Sequence, residues 1–314
     1  MRLQNEADVP SPALLIFPER VEENLRRMLA IVGDATRLRP HIKTHKLPQI
    51  VARQVALGIT KCKAATIAEA EMAAQAGAGD VLLAAQLVGP HVGRFLALAR
   101  AYPQVAFSTL ADDDSVITRL NEAALEAAQT IEVLLDLDVG QQRTGVVPGP
   151  NAVALYRKIG ASAGLRPGGL HAYDGHLHQR ERLERASASD AAYAGVASLR
   201  AELRREGLSV PRVVCGGTPT FPIHARREGV ECSPGTCVLW DAGYAEKLPD
   251  LEFQPAAVLL TRVVSRPASN RLCLDLGHKA VASEMLHPRV IFPALPGVRS
   301  YMTFIVVQEV LGSF

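Results

Sequence analysis

A dense group of amine and imidazole side chains occurs in the run from Pro40 to Lys46. His41, Lys43, His45 and Lys46 fall within six residues. A lysine beside other cations at the mouth of a barrel has a lowered pKa, and its neutral amine can attack an aldehyde. The alternative is a solvated basic turn, because runs of charge usually lie on a hydrated surface. The choice between the two depends on whether a strand places Lys43 in a site.

Two turns rich in glycine and hydroxyl groups could bind a phosphate. They are Gly216–Thr220 and Ser233–Thr236. Glycine amides and side-chain hydroxyls are the groups that form such anion sites. Gly-Gly-Thr-Pro is also an ordinary turn sequence, so each turn has a purely structural explanation as well. Their placement after two successive predicted strands favours a phosphate site, because barrels commonly build one there.

Two further polar runs carry an arginine and an aromatic ring. Arg143 lies within the run Asp136–Gly145, and Tyr173 lies within the run His171–His178. Both runs follow predicted strands, so their side chains would meet at one mouth. A cation and a ring in that position suit a flat cofactor that bears a phenolate.

Short β-like runs alternate with helical segments from Arg37 to about Cys232. This alternation is typical of repeated β-α units around a parallel sheet. We count eight β-like runs, at Arg37–Arg39, Lys61–Ala64, Val81–Ala84, Val105–Ser108, Ile131–Asp136, Gly169–Ala172, Arg212–Cys215 and Glu228–Cys232. Helices between them include Glu69–Ala76, Asp112–Ala128 and Arg180–Arg205.

Eight is the closing number of a (β/α)8 TIM-type barrel, and active sites of such barrels lie at the carboxyl ends of the strands. An open doubly wound sheet is the alternative, but its phosphate-binding glycines follow the first strand, where this chain has Pro40–Lys43. After Pro255 the runs are β-like without helices between them. We therefore predict a barrel over 18–250 and a smaller, C-terminally shortened β-rich domain formed by 1–17 and 251–314.

The composition excludes several classes of protein. Lys and Arg number 34 against 32 Asp and Glu, a formal charge of +2 in 314 residues, which argues against nucleic acid as a partner. No apolar run approaches the roughly 20 residues of a membrane span. The N-terminus has no apolar signal region, so we expect a cytoplasmic location. The five cysteines contain no Cys-x-x-Cys pair, which argues against a disulfide framework or a zinc knuckle.

The order of motifs resembles one known family. Arg-Pro-His-x-Lys-Thr-His-Lys, Asp-x-Gly-x-x-Arg-Thr-Gly, Tyr-x-Gly-His, Gly-Gly-Thr-Pro and Pro-Gly-Thr occur here in the order seen in the D-threonine aldolase and D-serine dehydratase family. These are fold type III pyridoxal 5'-phosphate (PLP) enzymes related to alanine racemase. The resemblance implies that Lys43 forms the Schiff base, that Arg143 lies near the phenolic oxygen and that Tyr173 lies beside the pyridine ring. It further implies phosphate contacts from Gly216, Gly217, Thr218 and Gly235.

The sequence departs from the family pattern in two places. Cys237 follows Pro-Gly-Thr where the family usually has tyrosine. The His-x-Cys pair that binds a divalent metal in the family does not occur before Phe314. His278 and His287 are conceivable substitutes, but no cysteine or carboxylate stands at ligand spacing from them. We therefore predict no metal ligand and expect little activation by Mn²⁺ or Zn²⁺.

By this resemblance, the expected activity is a lyase reaction on D-3-hydroxy amino acids, with retro-aldol cleavage of D-threonine-like substrates to glycine and an aldehyde. The base that takes the hydroxyl proton would be a metal or a histidine such as His45 or His176. D-Serine dehydration remains an alternative, as do an amino-acid racemase and a non-catalytic PLP-binding protein of the same fold. A racemase needs a second acid/base group, which the sequence does not reveal. A homodimer is compatible with the sequence.

Overall fold

The computed structural model describes most of the chain, namely residues 4–277, 280–282, 290–292, 298–302 and 306–310. Two compact units make up the chain. The larger unit comprises Glu19–Gln254, and the smaller combines Met1–Pro18 with Pro255–Phe314. The boundary between them at 254/255 lies four residues beyond the predicted one at 250/251. Within the described residues, no helix is both long and apolar enough to cross a membrane.

The described residues form thirteen strands and nine α-helices. The strands are β1 (Ala13–Ile16), β2 (Lys61–Ala64), β3 (Asp80–Gln86), β4 (Ala106–Ala111), β5 (Ile131–Leu137), β6 (Leu165–Ala172), β7 (Val213–Cys215), β8 (Val230–Cys232), β9 (Ala257–Leu260), β10 (Val263–Ala268), β11 (Arg271–Leu274), β12 (Val298–Met302) and β13 (Val306–Val310). The helices are α1 (Pro18–Val32), α2 (Pro48–Ala56), α3 (Ile67–Gln75), α4 (His91–Ala101), α5 (Asp114–Glu126), α6 (Pro150–Ala161), α7 (Arg182–Arg205), α8 (Phe221–His224) and α9 (Ala242–Lys247).

Polar caps and glycines set the limits of the helices. The side chain of Thr66 accepts a hydrogen bond from the first turn of α3, and the side chain of Asp113 does so for α5. Such caps satisfy backbone N–H groups that have no partner inside the helix. Gly77 follows α3 and Gly207 follows α7, each with a positive φ that favours glycine. The chain therefore turns back toward the next strand at these glycines.

Seven parallel strands, β2 to β8, form one sheet in the order of the sequence. The segment Leu38–His41 fills the gap between the first and last of them. Leu38 forms a parallel bridge with Cys232 of β8, and His41 forms one with Lys63 of β2. The sheet is thus closed by an eighth segment, and the predicted (β/α)8 barrel is confirmed.

The predicted first strand, Arg37–Arg39, is not a regular strand. A 3-10 helix occupies Ala35–Arg37, and the extended segment begins after it. Pro40 accepts a hydrogen bond from the backbone N–H of Lys63 at 2.8 Å, but it has no N–H of its own to donate. The ladder is interrupted at this proline, so the eighth segment pairs through isolated bridges.

Alternate residues of the barrel strands pack into two different cores. Leu82, Leu110, Leu134 and Val214, from β3, β4, β5 and β7, form a small cluster inside the barrel. Their neighbours in sequence join the large cluster that includes the helices around the sheet. This alternation is the two-residue period of a strand with both faces buried. Side chains at inward positions near the strand ends therefore point toward the barrel mouth.

A buried cation links the closing segment to two strands. The Arg39 side chain is fully buried, and its two terminal nitrogens each lie 2.7 Å from an oxygen of Asp80 in β3. Its Nε lies 2.7 Å from Glu231 in β8, which also pairs with Lys61 at 2.5 Å. Burial alone would raise the pKa of both carboxyls, but the Arg39 guanidinium holds each pKa below its usual value.

The smaller unit consists of antiparallel sheets. Strand β1 pairs with β9, and Ala13 lies opposite Leu260. Strands β10 to β13 form a second sheet in the order β10-β11-β13-β12. The β-like character predicted after Pro255 is therefore present in this unit. Strand β1 lies in the segment 1–17 that the sequence assigns to the β-rich domain, and it pairs within this unit.

Replacing Arg39 with methionine should destabilise the barrel strongly. The substitution would leave the buried carboxylates of Asp80 and Glu231 without their main partner, a change that costs about 3–5 kcal/mol in buried ion pairs. Urea denaturation of both proteins measures the difference in free energy of unfolding. Arg166→Met is the matched control, because Arg166 pairs with Glu132 on an exposed surface and such pairs contribute about 1 kcal/mol or less. Equal effects of the two substitutions would contradict this view of the network.

Candidate active site

A cavity of about 490 Å³ lies at the carboxyl ends of strands β2 to β6. This is the end of a β/α barrel where catalytic groups gather. Its walls carry apolar side chains together with cations, histidines and carboxylates. The lining residues are His41, Lys43, Lys63, Ala65, Ala84, Ala85, Gln86, Val88, Leu110, Asp112, Asp136, Arg143, Thr144, His171 and Tyr173.

Lys43 lies in this wall, on the 3-10 helix Ile42–Thr44 that follows the closing segment. The Nδ1 atom of His41 accepts a hydrogen bond from the Lys43 backbone N–H at 3.3 Å, and Ile42 is fully buried beneath. The Lys43 side chain is exposed. Lys43 is therefore both exposed to solvent and part of the cavity lining.

Arg143 and Tyr173 come together as the sequence predicted. The Arg143 guanidinium carbon lies 5.2 Å from the centre of the Tyr173 ring, within cation–π range. Burial raises the pKa of the Tyr173 phenol, and the Arg143 charge partly opposes that effect. The two residues follow β5 and β6, so neighbouring strand ends place a cation beside a flat ring.

Lys63 is a second lysine of this cavity that sequence reasoning missed. It is only 2% exposed, and its Nζ lies 3.5 Å from Nε2 of His171 and 5.4 Å from the centre of the Tyr173 ring. Burial and the charge of Lys43 lower the pKa of Lys63 to about 7. In the sequence, Lys63 is marked by being a charged residue at an inward-facing position near the end of β2, where a barrel strand ordinarily carries an apolar residue.

His171 is held by a carboxylate. Its Nδ1 lies 2.6 Å from Oδ1 of Asp136, and Oδ2 of the same carboxylate accepts a hydrogen bond from Thr144 at 3.0 Å. Burial lowers the pKa of His171, and the Asp136 charge opposes that effect. The imidazole is therefore fixed in orientation, with its Nε2 turned toward Lys63.

The two predicted phosphate turns meet through one hydroxyl. The Oγ1 of Thr218 accepts hydrogen bonds from the backbone N–H groups of Gly235 at 3.2 Å and Thr236 at 3.0 Å. A Cβ on Gly217 would lie 3.0 Å from a ring carbon of Tyr173, closer than side chains ordinarily pack. The turns do not line the 490 Å³ cavity, but they adjoin it through the Tyr173 ring.

A buried network supports the first of these turns. Gly216 has φ of +78°, and a Cβ there would lie 2.6 Å from the His224 ring. Asp174 accepts a hydrogen bond from Thr220 and lies 2.8 Å from Nε2 of His224. Thr220 in turn accepts from the Gly217 N–H at 3.3 Å. The glycines are therefore required by backbone conformation and by close packing.

The two histidines proposed as bases do not line this cavity. His45 accepts a hydrogen bond from the Leu47 N–H at 3.0 Å, and burial lowers its pKa to about 4. His176 packs against Gly140, where a Cβ would lie 3.1 Å from its Nε2. The structure instead brings His41 and His171 to the wall.

The remaining candidates lie elsewhere. Lys46 is exposed and lies 3.9 Å from Glu69, outside the cavity wall. Cys237 is buried, and burial raises its pKa to about 12. His278 and His287 lie outside the described residues. Among the residues that are described, no group of three or more His, Cys, Asp or Glu side chains could hold a metal ion.

The β/α barrel and the lysine at its mouth agree with the resemblance to PLP enzymes related to alanine racemase. The model of the alanine racemase N-terminal domain family matches residues 16–241, most of the chain. This protein therefore belongs to that family.

Three similar proteins narrow the comparison. The D-threonine aldolase of Arthrobacter sp. is 33% identical over 291 residues, covering 90% of this chain and 76% of that protein. The D-threo-3-hydroxyaspartate dehydratase of Delftia sp. (strain HT23) is 29% identical over 237 residues, covering 74% of this chain and 61% of that protein. The crystal structure of D-threonine aldolase from Filomicrobium marinum superposes with a TM-score of 0.90 at 33% identity, covering 98% of this chain and 84% of that one.

Family membership implies PLP as the cofactor, and the side chains around the cavity suit it. One space is lined by an exposed lysine, an arginine and an aromatic ring, which are Lys43, Arg143 and Tyr173. A Cβ on the adjoining Gly217 would crowd the Tyr173 ring, so glycine keeps this space open. The amine suits the aldehyde of PLP and the guanidinium suits its phenolate. The aromatic ring suits its flat pyridine, and the glycine turn suits its phosphate.

Replacing Gly217 with valine should weaken PLP binding by about tenfold or more, equivalent to about 1.4 kcal/mol. The new side chain would displace the Tyr173 ring and fill the space above the turn. Titration of cofactor-free protein with PLP, followed by absorbance, measures the dissociation constant. Gly93→Val is the control. No atom lies within 4 Å of a Cβ at Gly93, and the φ angle there is not positive, so valine causes neither a clash nor backbone strain. Equal PLP affinity in the two variants would make the Gly216–Thr220 turn merely structural.

Proposed function

We propose that this chain is a PLP-dependent lyase that cleaves D-3-hydroxy amino acids, with D-threonine-like substrates giving glycine and an aldehyde. One observation carries the proposal. Lys43, Arg143 and Tyr173 share one cavity at the barrel mouth of a chain that is 33% identical to D-threonine aldolase over 90% of its length. The two curated relatives named above are an aldolase and a dehydratase, which favours a lyase over a racemase or a non-catalytic binding protein.

The side chains have separate tasks in this proposal. Bound PLP supplies an electron sink for the bond that breaks at the α-carbon of the substrate. Lys43 would hold the cofactor through its amine. Arg143 would lie at the phenolic oxygen, and the Tyr173 ring would lie beside the pyridine. The phosphate would be held by Gly216, Gly217, Thr218 and Gly235.

The charge of the cavity suits an amino acid substrate. Two lysines and an arginine line it, whereas its two carboxylates are already engaged. Asp112 accepts a hydrogen bond from the Gly145 N–H at 2.7 Å, and Asp136 pairs with His171. With both carboxylates engaged, the Arg143 guanidinium remains to attract anionic groups. The substrate carboxylate and the cofactor phosphate are the anions expected there.

Dehydration is the second candidate, because the Delftia relative is a D-threo-3-hydroxyaspartate dehydratase. That reaction expels the β-hydroxyl group and does not break the Cα–Cβ bond. Both reactions begin with the same bound amino acid in the same cavity. The products separate them, since cleavage yields glycine and an aldehyde whereas dehydration yields ammonia and a 2-oxo acid.

Protein loaded with PLP should convert D-threonine to glycine and acetaldehyde and should leave L-threonine unchanged. Lys43→Ala should lower this activity by more than about 10³-fold, as removal of a covalent catalytic group commonly does. Chromatography of amino acids and an aldehyde assay measure the products, with D-serine and D-3-hydroxyaspartate as further substrates. The same assay with a chelator, and then with added Mn²⁺ or Zn²⁺, tests the expectation of little metal activation.

Two results would contradict the proposal. Release of ammonia without glycine would favour the dehydratase, and efficient turnover of an L-hydroxy amino acid would remove the basis of the assignment. Lys158→Ala is the control for the lysine substitution. Lys158 lies on α6, bonds to Thr118 and Asp114, and does not line the cavity.

A further inference from the structure

Lys63 is a buried amine that forms no ion pair with a carboxylate of the described residues. On the same strand, Lys61 forms an ion pair with Glu231 at 2.5 Å. In the part of the chain that the structure describes, the nearest polar contact of Lys63 Nζ is His171 Nε2, at 3.5 Å. Lysine is almost never fully buried unless it is paired, because desolvation of an ammonium ion is costly. Burial without a pair therefore favours the neutral amine and indicates a functional role.

The groups around Lys63 come from every neighbouring element. They are Lys43 and His41 on the closing segment, Asp136 on β5, Arg143 on the loop after it, His171, Tyr173 and Asp174 on and after β6, and Cys215 on β7. Lys43 disfavours the charged form of Lys63, while Asp136 and Asp174 favour it. Desolvation is larger than any of these effects, and it lowers the pKa of Lys63 to about 7.

The His171 contact sets the orientation of the amine. Asp136 lies 2.6 Å from Nδ1 of His171, which assigns the ring proton to Nδ1 and leaves Nε2 as an acceptor. A neutral Lys63 amine then donates one N–H to Nε2. Its lone pair remains free on a side chain that lines the cavity, where it can accept a proton.

Other side chains of the cavity wall suit this task less well. Burial, together with Lys63 and Lys43, lowers the pKa of His41 to about 2, so it cannot hold a proton at neutral pH. Asp136 is bonded to His171 and Thr144, which keep its pKa below the usual value despite burial. Burial raises the pKa of Tyr173. A base works best when its pKa lies near the working pH, a condition that Lys63 meets.

We propose that Lys63 is a proton-transfer residue of this site, which accepts the β-hydroxyl proton of a D-3-hydroxy amino acid during cleavage. As the O–H bond breaks, its electron pair forms the second bond of the aldehyde carbonyl, and the Cα–Cβ electron pair remains with Cα. The ammonium group of Lys63 then returns a proton to Cα, which completes glycine and restores the neutral amine. This inference rests on the proposed lyase function, and it supplies the base that the sequence left to a metal or to His45 or His176.

The first test measures the protonation of Lys63 directly and needs no turnover. The chain has seven lysines, so labelling of lysine Cε with ¹³C gives few resonances, and loss of one in Lys63→Met and Lys63→Arg identifies Lys63. In the PLP-loaded protein, the Lys63 resonance should titrate with a midpoint between about 6 and 8, well below the ordinary lysine value of about 10.4. A Lys63 midpoint above about 9 would overturn the proposal.

The second test uses the pH dependence of cleavage. A neutral amine is required, so wild-type kcat/KM should fall as the pH decreases through about 7. In Lys63→Met, kcat should be about 10²–10⁴-fold lower and this acid limb should disappear, while the absorbance of PLP bound at Lys43 is retained. Lys63→Arg should be equally impaired, because arginine keeps a cation there but cannot release its proton.

Two outcomes of these kinetics would overturn the role. Full activity of Lys63→Arg would show that only a buried cation is needed. An unchanged acid limb in Lys63→Met would assign the titration to another group. Wild-type turnover of D-threonine tests the lyase function separately, so a failure of Lys63 as the base is distinguishable from a failure of the proposed function.

Discussion

The bidentate pairing of Arg39 with Asp80 is the interaction on which the site depends. The guanidinium lies on the one barrel segment that forms no regular strand, and it has no access to solvent. Its pairing with Asp80 on one side and Glu231 on the other ties that segment to β3 and β8. A buried cation is tolerable only when such partners surround it, which fixes the register of the closing segment against the strands on both sides.

That register determines where the lysines lie. The closing segment ends at His41, which pairs with Lys63 of β2, and the short helix carrying Lys43 starts at the next residue. Two amines are thereby placed in one cavity, one exposed and one buried. The exposed amine can bond to a cofactor. Burial and the charge of Lys43 lower the pKa of the buried amine to about 7. Closure of the barrel by this segment thus places two lysines with different chemical tasks in one cavity.

The positions of the main elements were predictable because the barrel strands are short, mostly apolar and bounded by helical segments. The run at Lys61–Ala64 was predicted with its observed limits, and Arg143 and Tyr173 were predicted to meet because both follow neighbouring strands. Strand pairing of the closing segment was not predictable in detail, since Pro40 interrupts a ladder that the residue pattern alone suggests.

The tasks of individual basic residues were harder to predict. The folded barrel places Lys63 in the cavity wall and leaves His45 outside it. Burial and pairing, which decide the protonation of each group, depend on contacts between residues far apart in the chain. The contact of Lys63 with His171 joins positions 108 residues apart, and no local pattern encodes it.

The most direct test is to locate the lysine that bonds to the cofactor. Protein loaded with PLP is reduced with borohydride and digested, and mass spectrometry identifies the peptide that carries the reduced cofactor. We predict the modification on Lys43, in the peptide that follows the closing segment. Modification of Lys63 would contradict the division of tasks between the two amines, and modification of neither would contradict the site itself.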